Sequence, residues 1–466
     1  MIRLRRIPVH RFFISVTAVA MLCAVGARRA EAQSAQARDT ARAVISSDTI
    51  TLQEAIAIAL SQNTVSRFAH NNVLLDSLNV RSARNAFFPN LSASTSASQG
   101  FGAGSQGQNS FAVSGGLNSG VTLYNGGQNR NTLKQAQLNA LAGGNDFGRA
   151  RQTVVFTVAS DYLTLINQQE QIRVEQENLT AQEQELTQLE AFVKQGTHPI
   201  GDLYQQQAAV AQTRLALVNA TRAAENAKVD LIGELVLDPR RNYVWATPPS
   251  DTSATVPPGP VFNLDSLMNV ALLQRTDLRA ENLRVQAAQR EVDIARGTRL
   301  PTVSGSAGYS SAYNSAADGA FFTQLNQRRG GSFGVGVSIP IFDRGVASTA
   351  TQRALILLDN ELLSLRDLGE SVALAVRRAY LDYNAAQEAL TAAAAQQRAA
   401  ALALQAAQAR YRVGAATFVE VTLARATLIQ AQSAVVNARS SVSFQRALMS
   451  YYTGDLDPNN AHIVLY

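Results

Sequence analysis

The residues able to do chemistry are few, and they do not converge. Four histidines, His10, His70, His198 and His462, are scattered over 466 residues without metal-ligand spacing. The single cysteine is Cys23, so the rest of the chain has no thiol for disulfide, metal or nucleophilic work. No Ser/His/Asp order or paired-carboxylate grouping stands out. The glycine-rich stretch Gly100–Gly107 lacks the lysine and Ser/Thr ending of a phosphate loop and lies between two alternating runs, so it reads as a hairpin loop. The expectation is no catalytic site, no cofactor and no metal. The polar residues that do form a pattern are two acids, Asp202 and Glu420, each placed shortly after a glycine (Gly196 and Gly414) that interrupts helical spacing. With Thr197 and Thr417 they fall near the start of a returning helix. An acid is favoured there by about 0.3–1 kcal/mol, and Thr417-x-x-Glu420 fits a capping box. One reading is capping alone; the other is a ring of carboxylates that screens cargo by charge at the end of a helical tunnel. The two are compatible. Tyr411 and Val419 flank the second turn, either as core seam residues or as part of a gate.

The elements that must position these residues are long. Val376, Tyr383, Leu390, Gln397, Leu404 and Tyr411 recur every seven residues, and after Gly414 the spacing resumes at Val421, Leu428, Val435, Val442 and Met449. A sustained heptad seam predicts helices packed side by side. About 68 residues at 1.5 Å rise span roughly 100 Å, which no compact globule needs. The same pattern occurs 218 residues earlier: Val158, Leu165, Ile172, Leu179, Leu186 and Val193, then Gly196, then Leu203, Val210, Leu217, Ala224 and Leu231. Pro89 parallels Pro301, and Leu123–Gly127 parallels Ile341–Gly345. An internal repeat of this length dictates a two-fold architecture.

Around the repeats the chain divides readily. A basic start, an apolar run from Phe12 to Val25 and Ala30-Glu31-Ala32 predict a signal peptide over 1–32. That segment holds six arginines and one glutamate, so most of the formal charge of +6 leaves with it and nucleic acid is excluded as a partner. Leu22, which is not small, argues against lipid attachment at Cys23. Residues 33–50 read as a flexible mature N-terminus. The first repeat covers 51–238, with a capping box at Thr51-x-x-Glu54, helices over Ala55–Leu60 and Val65–Ala86, strands at about 90–123 and a helical hairpin at about 127–235. A Pro-rich connector over 239–262 need not be structured. The second repeat covers 263–457, with strands at about 302–341 and a hairpin at about 345–453, before a tail over 458–466.

In the strand regions the spacing changes to alternation. Leu91, Ala93, Thr95 and Ala97 interleave with serines; Val113, Leu117 and Val121 with small polar residues; Phe333, Val335 and Val337 with glycine and serine. Runs of 10–12 residues suit tilted strands crossing a bilayer core of about 30 Å. Phe101, Phe111, Tyr313, Phe321 and Phe322 lie where an interfacial girdle would be. Four strands cannot close a barrel, and open edges in lipid are costly, so several chains must share one: two, three or four copies give about eight, twelve or sixteen strands.

The duplicated strand–strand–helix–turn–helix layout and the tip Tyr411-x-x-Gly414-x-x-x-x-Val419-Glu420 resemble the TolC-type outer-membrane efflux protein family (outer membrane factors), over about Thr51 to Pro458. The resemblance implies a mixed α+β membrane protein. A transmembrane β-barrel would be shared by three chains, four strands each, in outer-membrane lipid and continued by a long α-helical coiled-coil periplasmic tunnel. It implies a homotrimer, a passive exit duct for efflux or type I secretion whose tip opens on docking a periplasmic adaptor (membrane fusion protein) joined to an inner-membrane pump. By position it makes Glu420 a gating acid, Tyr411 a tip-locking tyrosine and Val419 an apolar pinch. Leu423 stands where some members have a second acid, and Ala416 where a tip arginine occurs, so the closed tip is expected to be locked with fewer charge pairs. The alternative is a periplasmic coiled-coil adaptor or scaffold, which would carry one hairpin between β-rich flanks rather than two hairpins each preceded by strands.

Overall fold

The structure, a computed structural model, describes residues 49–100, 110–246 and 262–456. The signal segment, most of the expected N-terminal arm, the Gly-rich loop with Phe101, much of the connector, the C-terminal tail, His10, Cys23 and His462 lie outside the described residues.

The chain begins with β1 (Thr49–Ile50), α1 (Leu52–Gln62) and α2 (Thr64–Asn85). The Thr51 hydroxyl accepts from the Glu54 amide at 3.3 Å while the Glu54 carboxylate accepts from the Thr51 amide at 2.9 Å. This reciprocal cap starts α1 three residues before the expected Ala55. β2 (Asn90–Gly100) and β3 (Ser110–Asn125) follow, then the long helices α3 (Gln128–Lys194) and α4 (Ile200–Glu234). After β4 (Val244–Trp245) the order helix, helix, strand, strand, long helix, long helix recurs. It runs through α5 (Leu264–Gln274), α6 (Thr276–Gly297), β5 (Thr302–Asn314), a short α7 (Phe321–Gln327), β6 (Gly330–Ser338), α8 (Val346–Arg412) and α9 (Phe418–Thr453). Helices α3 and α8 each hold 67 residues, about 100 Å of rod. Every heptad-seam position is buried or half-buried, from Val158 to Leu231 in the first hairpin and from Val376 to Met449 in the second.

Three boundaries need correction. Thr49 and Ile50 are not part of a flexible arm, and the segment after Pro239 is not wholly unstructured: β1 pairs with β4 in parallel, Thr49 opposite Val244 and Ile50 opposite Trp245. The cause is burial. Ile50 and Trp245 join Val155, Val158, Leu165, Leu231 and Leu235 in one core, with the Tyr162 hydroxyl donating to the carbonyls of Ala246 and Ile50. Each fully buried Val or Leu there contributes about 1.5–3 kcal/mol. The last strand also ends at Ser338 rather than near Ile341, since Pro340 has no amide to donate.

The four long strands form one antiparallel sheet in the order β2-β3-β5-β6. Its register gathers Leu91, Ala93, Ala97, Val113, Leu117, Val121, Tyr309, Tyr313, Phe333, Val335 and Val337 on one face. Ser92, Ser94, Ser96, Ser114, Asn118, Ser304, Ser306 and Ser310, with several glycines, share the other. No charged residue occurs in these strands. Among the described residues β2 and β6 each keep one unpaired edge.

Strands pass into helices through tight glycine contacts. At Gly126, φ is 65°, and a Cβ there would lie 2.3 Å from the Gly297 carbonyl oxygen. At Gly297 a Cβ would come within 2.9 Å of the Gly126 oxygen. The matching position in the second half, Arg344, adopts a similar φ of 55°. A non-glycine residue accepts such a backbone at a cost of about 1–2 kcal/mol.

Candidate functional site

The turns at the far end of the long helices bring together residues from both hairpins. Gly196 (φ 71°) and Gly414 (φ 74°) end α3 and α8 in left-handed conformation, where glycine escapes the Cβ penalty. Pro199 is the N-cap residue of α4, directly before Ile200. Thr417 caps α9, its hydroxyl accepting from the Glu420 amide at 3.4 Å as the Glu420 carboxylate accepts from the Thr417 amide. Thr197 instead turns back, donating its hydroxyl to the Phe192 carbonyl at 2.9 Å.

Asp202 and Tyr411 meet. The Tyr411 hydroxyl donates to Asp202 Oδ2 at 2.9 Å, joining the first turn of α4 to the end of α8 across 209 residues of sequence. Burial, then the hydrogen bond to Asp202, push the Tyr411 phenol well above its ordinary range, so it remains a donor. An aromatic stack supports it: His198 lies flat on Phe192 (4.9 Å between centroids) and edge-on to Tyr411 (5.5 Å), and Tyr411 leans on Phe418 (5.6 Å).

Glu420 is not part of that link. Besides capping its helix it pairs with Arg410 at 3.3 Å, in an exposed contact within the second hairpin; Arg410 also donates to the Ala415 carbonyl at 3.0 Å. Such an exposed pair is worth about 0–1 kcal/mol. Val419 is 60 % exposed and lies outside the seam, which passes through the buried Val421. Leu423 is exposed as well. Of the four proposed gate residues, two are in contact and two face outward from the chain.

Sequence reasoning missed a second tie between the hairpins. Arg425 of α9, buried among the seam residues, forms an ion pair with Glu185 of α3. Burial raises the Glu185 carboxyl against the opposing pull of Arg425. The available signal was Arg425 itself, a charge four residues past Val421 on the seam's flank. Below it, within the first hairpin, the buried Gln206 amide donates to the Gln182 carbonyl at 2.8 Å, and Gln182 donates to Thr213 at 3.1 Å.

The family model described as "Outer membrane efflux protein" matches residues 56–234 and 267–454, most of the chain. The chain belongs to the outer membrane efflux protein family. Among its relatives is the outer membrane efflux protein BepC of Brucella suis biovar 1 (strain 1330), 24% identical over 396 residues, covering 84% of this chain and 82% of BepC. The fold is similar to crystal structures of CusC, with a TM-score of 0.76 and 19% identity over 86% of this chain and 92% of that one. It is also similar to the open state of the MtrE outer membrane channel of Neisseria gonorrhoeae, with a TM-score of 0.70 and 20% identity over 86% and 88%. The protein is an outer-membrane exit duct that extends into the periplasm, and the solved structures it resembles are channels.

Proposed function

We propose that three copies of this chain build one twelve-stranded barrel continued by a helical tunnel, and that cargo passes through it without chemical change. The observation that carries this reading is the two-faced, charge-free sheet with both edges open. Its apolar face suits lipid, its Ser/Asn/Gly face suits a wet lumen, and its edges are satisfied only by pairing β2 of one chain with β6 of the next. Exposed apolar stripes support the same assembly, with Phe68, Leu75 and Leu78 on α2 and Leu355, Ile356, Leu362 and Leu363 on α8. The matching order of elements in the two halves supports an internal duplication, and the Arg-rich, apolar N-terminus supports a signal peptide removed on export.

The helical turns are the closed end. A periplasmic adaptor docks there, coupled to an inner-membrane pump that supplies the energy. Docking draws the Gly196 and Gly414 turns outward, breaks the Tyr411–Asp202 bond and opens the lumen past Val419. Asp202 and Glu420 bias the entrance toward cations. The assembly is tested by extracting the outer membrane in mild detergent: a trimer-sized band is expected that collapses to monomer on heating, and a water-soluble monomer overturns the proposal. In planar bilayers, alanine at Asp202 and Glu420 together is expected to lower cation preference; unchanged selectivity removes both from the filter.

A further inference from the structure

We propose that α7 and the two arginines that follow it form a docking site for a phosphate-bearing lipid headgroup of the outer leaflet. The inference rests on the barrel reading above. The helices join the sheet at Asn90, Asn125, Thr302 and Ser338, so the β5–β6 loop lies at the opposite end, away from the periplasm. This loop is not slack. Gln324 is 1% exposed, its amide nitrogen donating to the carbonyls of Asn314 (3.1 Å), Ala317 (2.9 Å) and Gly319 (3.0 Å) while its oxygen accepts from the Asn314 amide (3.0 Å).

The loop folds toward the lipid side. Ser311 and Tyr313 share the apolar face with Val113 and Leu117, and both hold α7: the Ser311 hydroxyl donates to the Leu325 carbonyl at 2.6 Å, and the Tyr313 ring lies 4.9 Å from Phe321. Phe322, edge-on to Phe321 at 5.3 Å, is 77% exposed. Charge then selects the occupant. From Asn90 to Asn125 and from Thr302 to Ser338 the only charged residues are Asp318, Arg328 and Arg329. Both arginines are exposed, and neither forms an ion pair among the described residues. Aromatic rings settle at a membrane interface, and guanidinium forks match phosphate oxygens. Two cations without an ion pair among the described residues, beside an aromatic wedge on the lipid face, fit a phosphorylated lipid of net negative charge better than a zwitterionic phospholipid.

The test uses the intact assembly in detergent. Retention of diphosphoryl lipid A, its dephosphorylated form and phosphatidylcholine is measured by native mass spectrometry for wild type, R328Q/R329Q and F321S/F322S. Each arginine near an anionic membrane surface is worth about fivefold, so the double variant should lose about thirtyfold of diphosphoryl lipid A retention at low salt. The dephosphorylated lipid should bind all arginine forms alike, and F321S/F322S should weaken every lipid. Equal retention of diphosphoryl lipid A by wild type and R328Q/R329Q in a correctly inserted trimer overturns this proposal alone. Displacement of the lipid from wild type by millimolar inorganic phosphate overturns it too, by reducing the site to a free-anion site. A wild-type chain missing from the outer-membrane fraction overturns the barrel reading, and this one with it.

Discussion

Tyr411 holds the two hairpins of one chain through a single hydroxyl, so Tyr411→Phe removes the link while keeping the ring on Phe418 and His198. A hydrogen bond to a charged group contributes about 1.5–3 kcal/mol. The contact is only half-buried, so the lower end applies. The open tip should gain roughly tenfold in population, where about 1.4 kcal/mol is a tenfold shift, and planar bilayers should show higher mean conductance. Conductance equal to wild type would place the link outside the gate. Asp161 offers a pH test. Burial, with Glu234 and Asp230 nearby, pushes its carboxyl up to about 6 from an ordinary 3.8. A folded-state value above the unfolded one means the folded chain keeps its proton longer. That contribution to stability is complete below about pH 4 and is lost as pH rises through 6. Asp161→Asn should therefore raise the denaturation midpoint at pH 7.5 and leave it nearly unchanged at pH 4. The expected gain is about 1–2 kcal/mol after discounting for a half-exposed group.

At the scale of elements, one buried charge pair, Arg425–Glu185, adds to the seams and to the inter-hairpin hydrogen bonds. Arg425→Met leaves Glu185 partly buried without its cation, at a cost of about 1–3 kcal/mol, while adding Glu185→Leu should recover most of it. Thermal unfolding of both variants in detergent measures this; a single variant as stable as wild type would show the pair to be incidental. The long helices were legible in the sequence because seven-residue spacing acts locally and repeats many times, and the strands because alternation sorts side chains between two faces. The Thr51 and Thr417 caps were legible because a cap is written in four consecutive residues. What escaped was pairing at a distance. Thr49–Ile50 and Val244–Trp245 are too short to show a period, and their partnership follows from a shared core around Tyr162. Helix α7 depends on one glutamine reaching four backbone groups of its own loop. At the tip, spacing placed Asp202 and Tyr411 each at a turn, but nothing in it could say that turns 209 residues apart touch, or that Val419 and Glu420 point elsewhere.

For the whole molecule, the two sheet faces should respond oppositely to the same substitution. Val335→Lys puts a cation on the lipid side, at about 2–4 kcal/mol near the bilayer midplane, and should reduce the outer-membrane yield of trimer. Ser306→Lys, on the lumen side, should leave yield intact and shift ion selectivity toward anions. Equal losses of yield would mean the faces have been assigned wrongly. The contact between Gly126 and Gly297 bears on how such a structure can move. There two main chains touch with no side chain between them, so neither can slide or tilt without breaking van der Waals contact along the backbone itself. The membrane end is thereby clamped to the shaft beneath it, like a blade set in its handle. At this junction, dilation at the opposite extremity has to be absorbed by flexing along the intervening rods, since the joint where Gly126 meets Gly297 is not free to swivel.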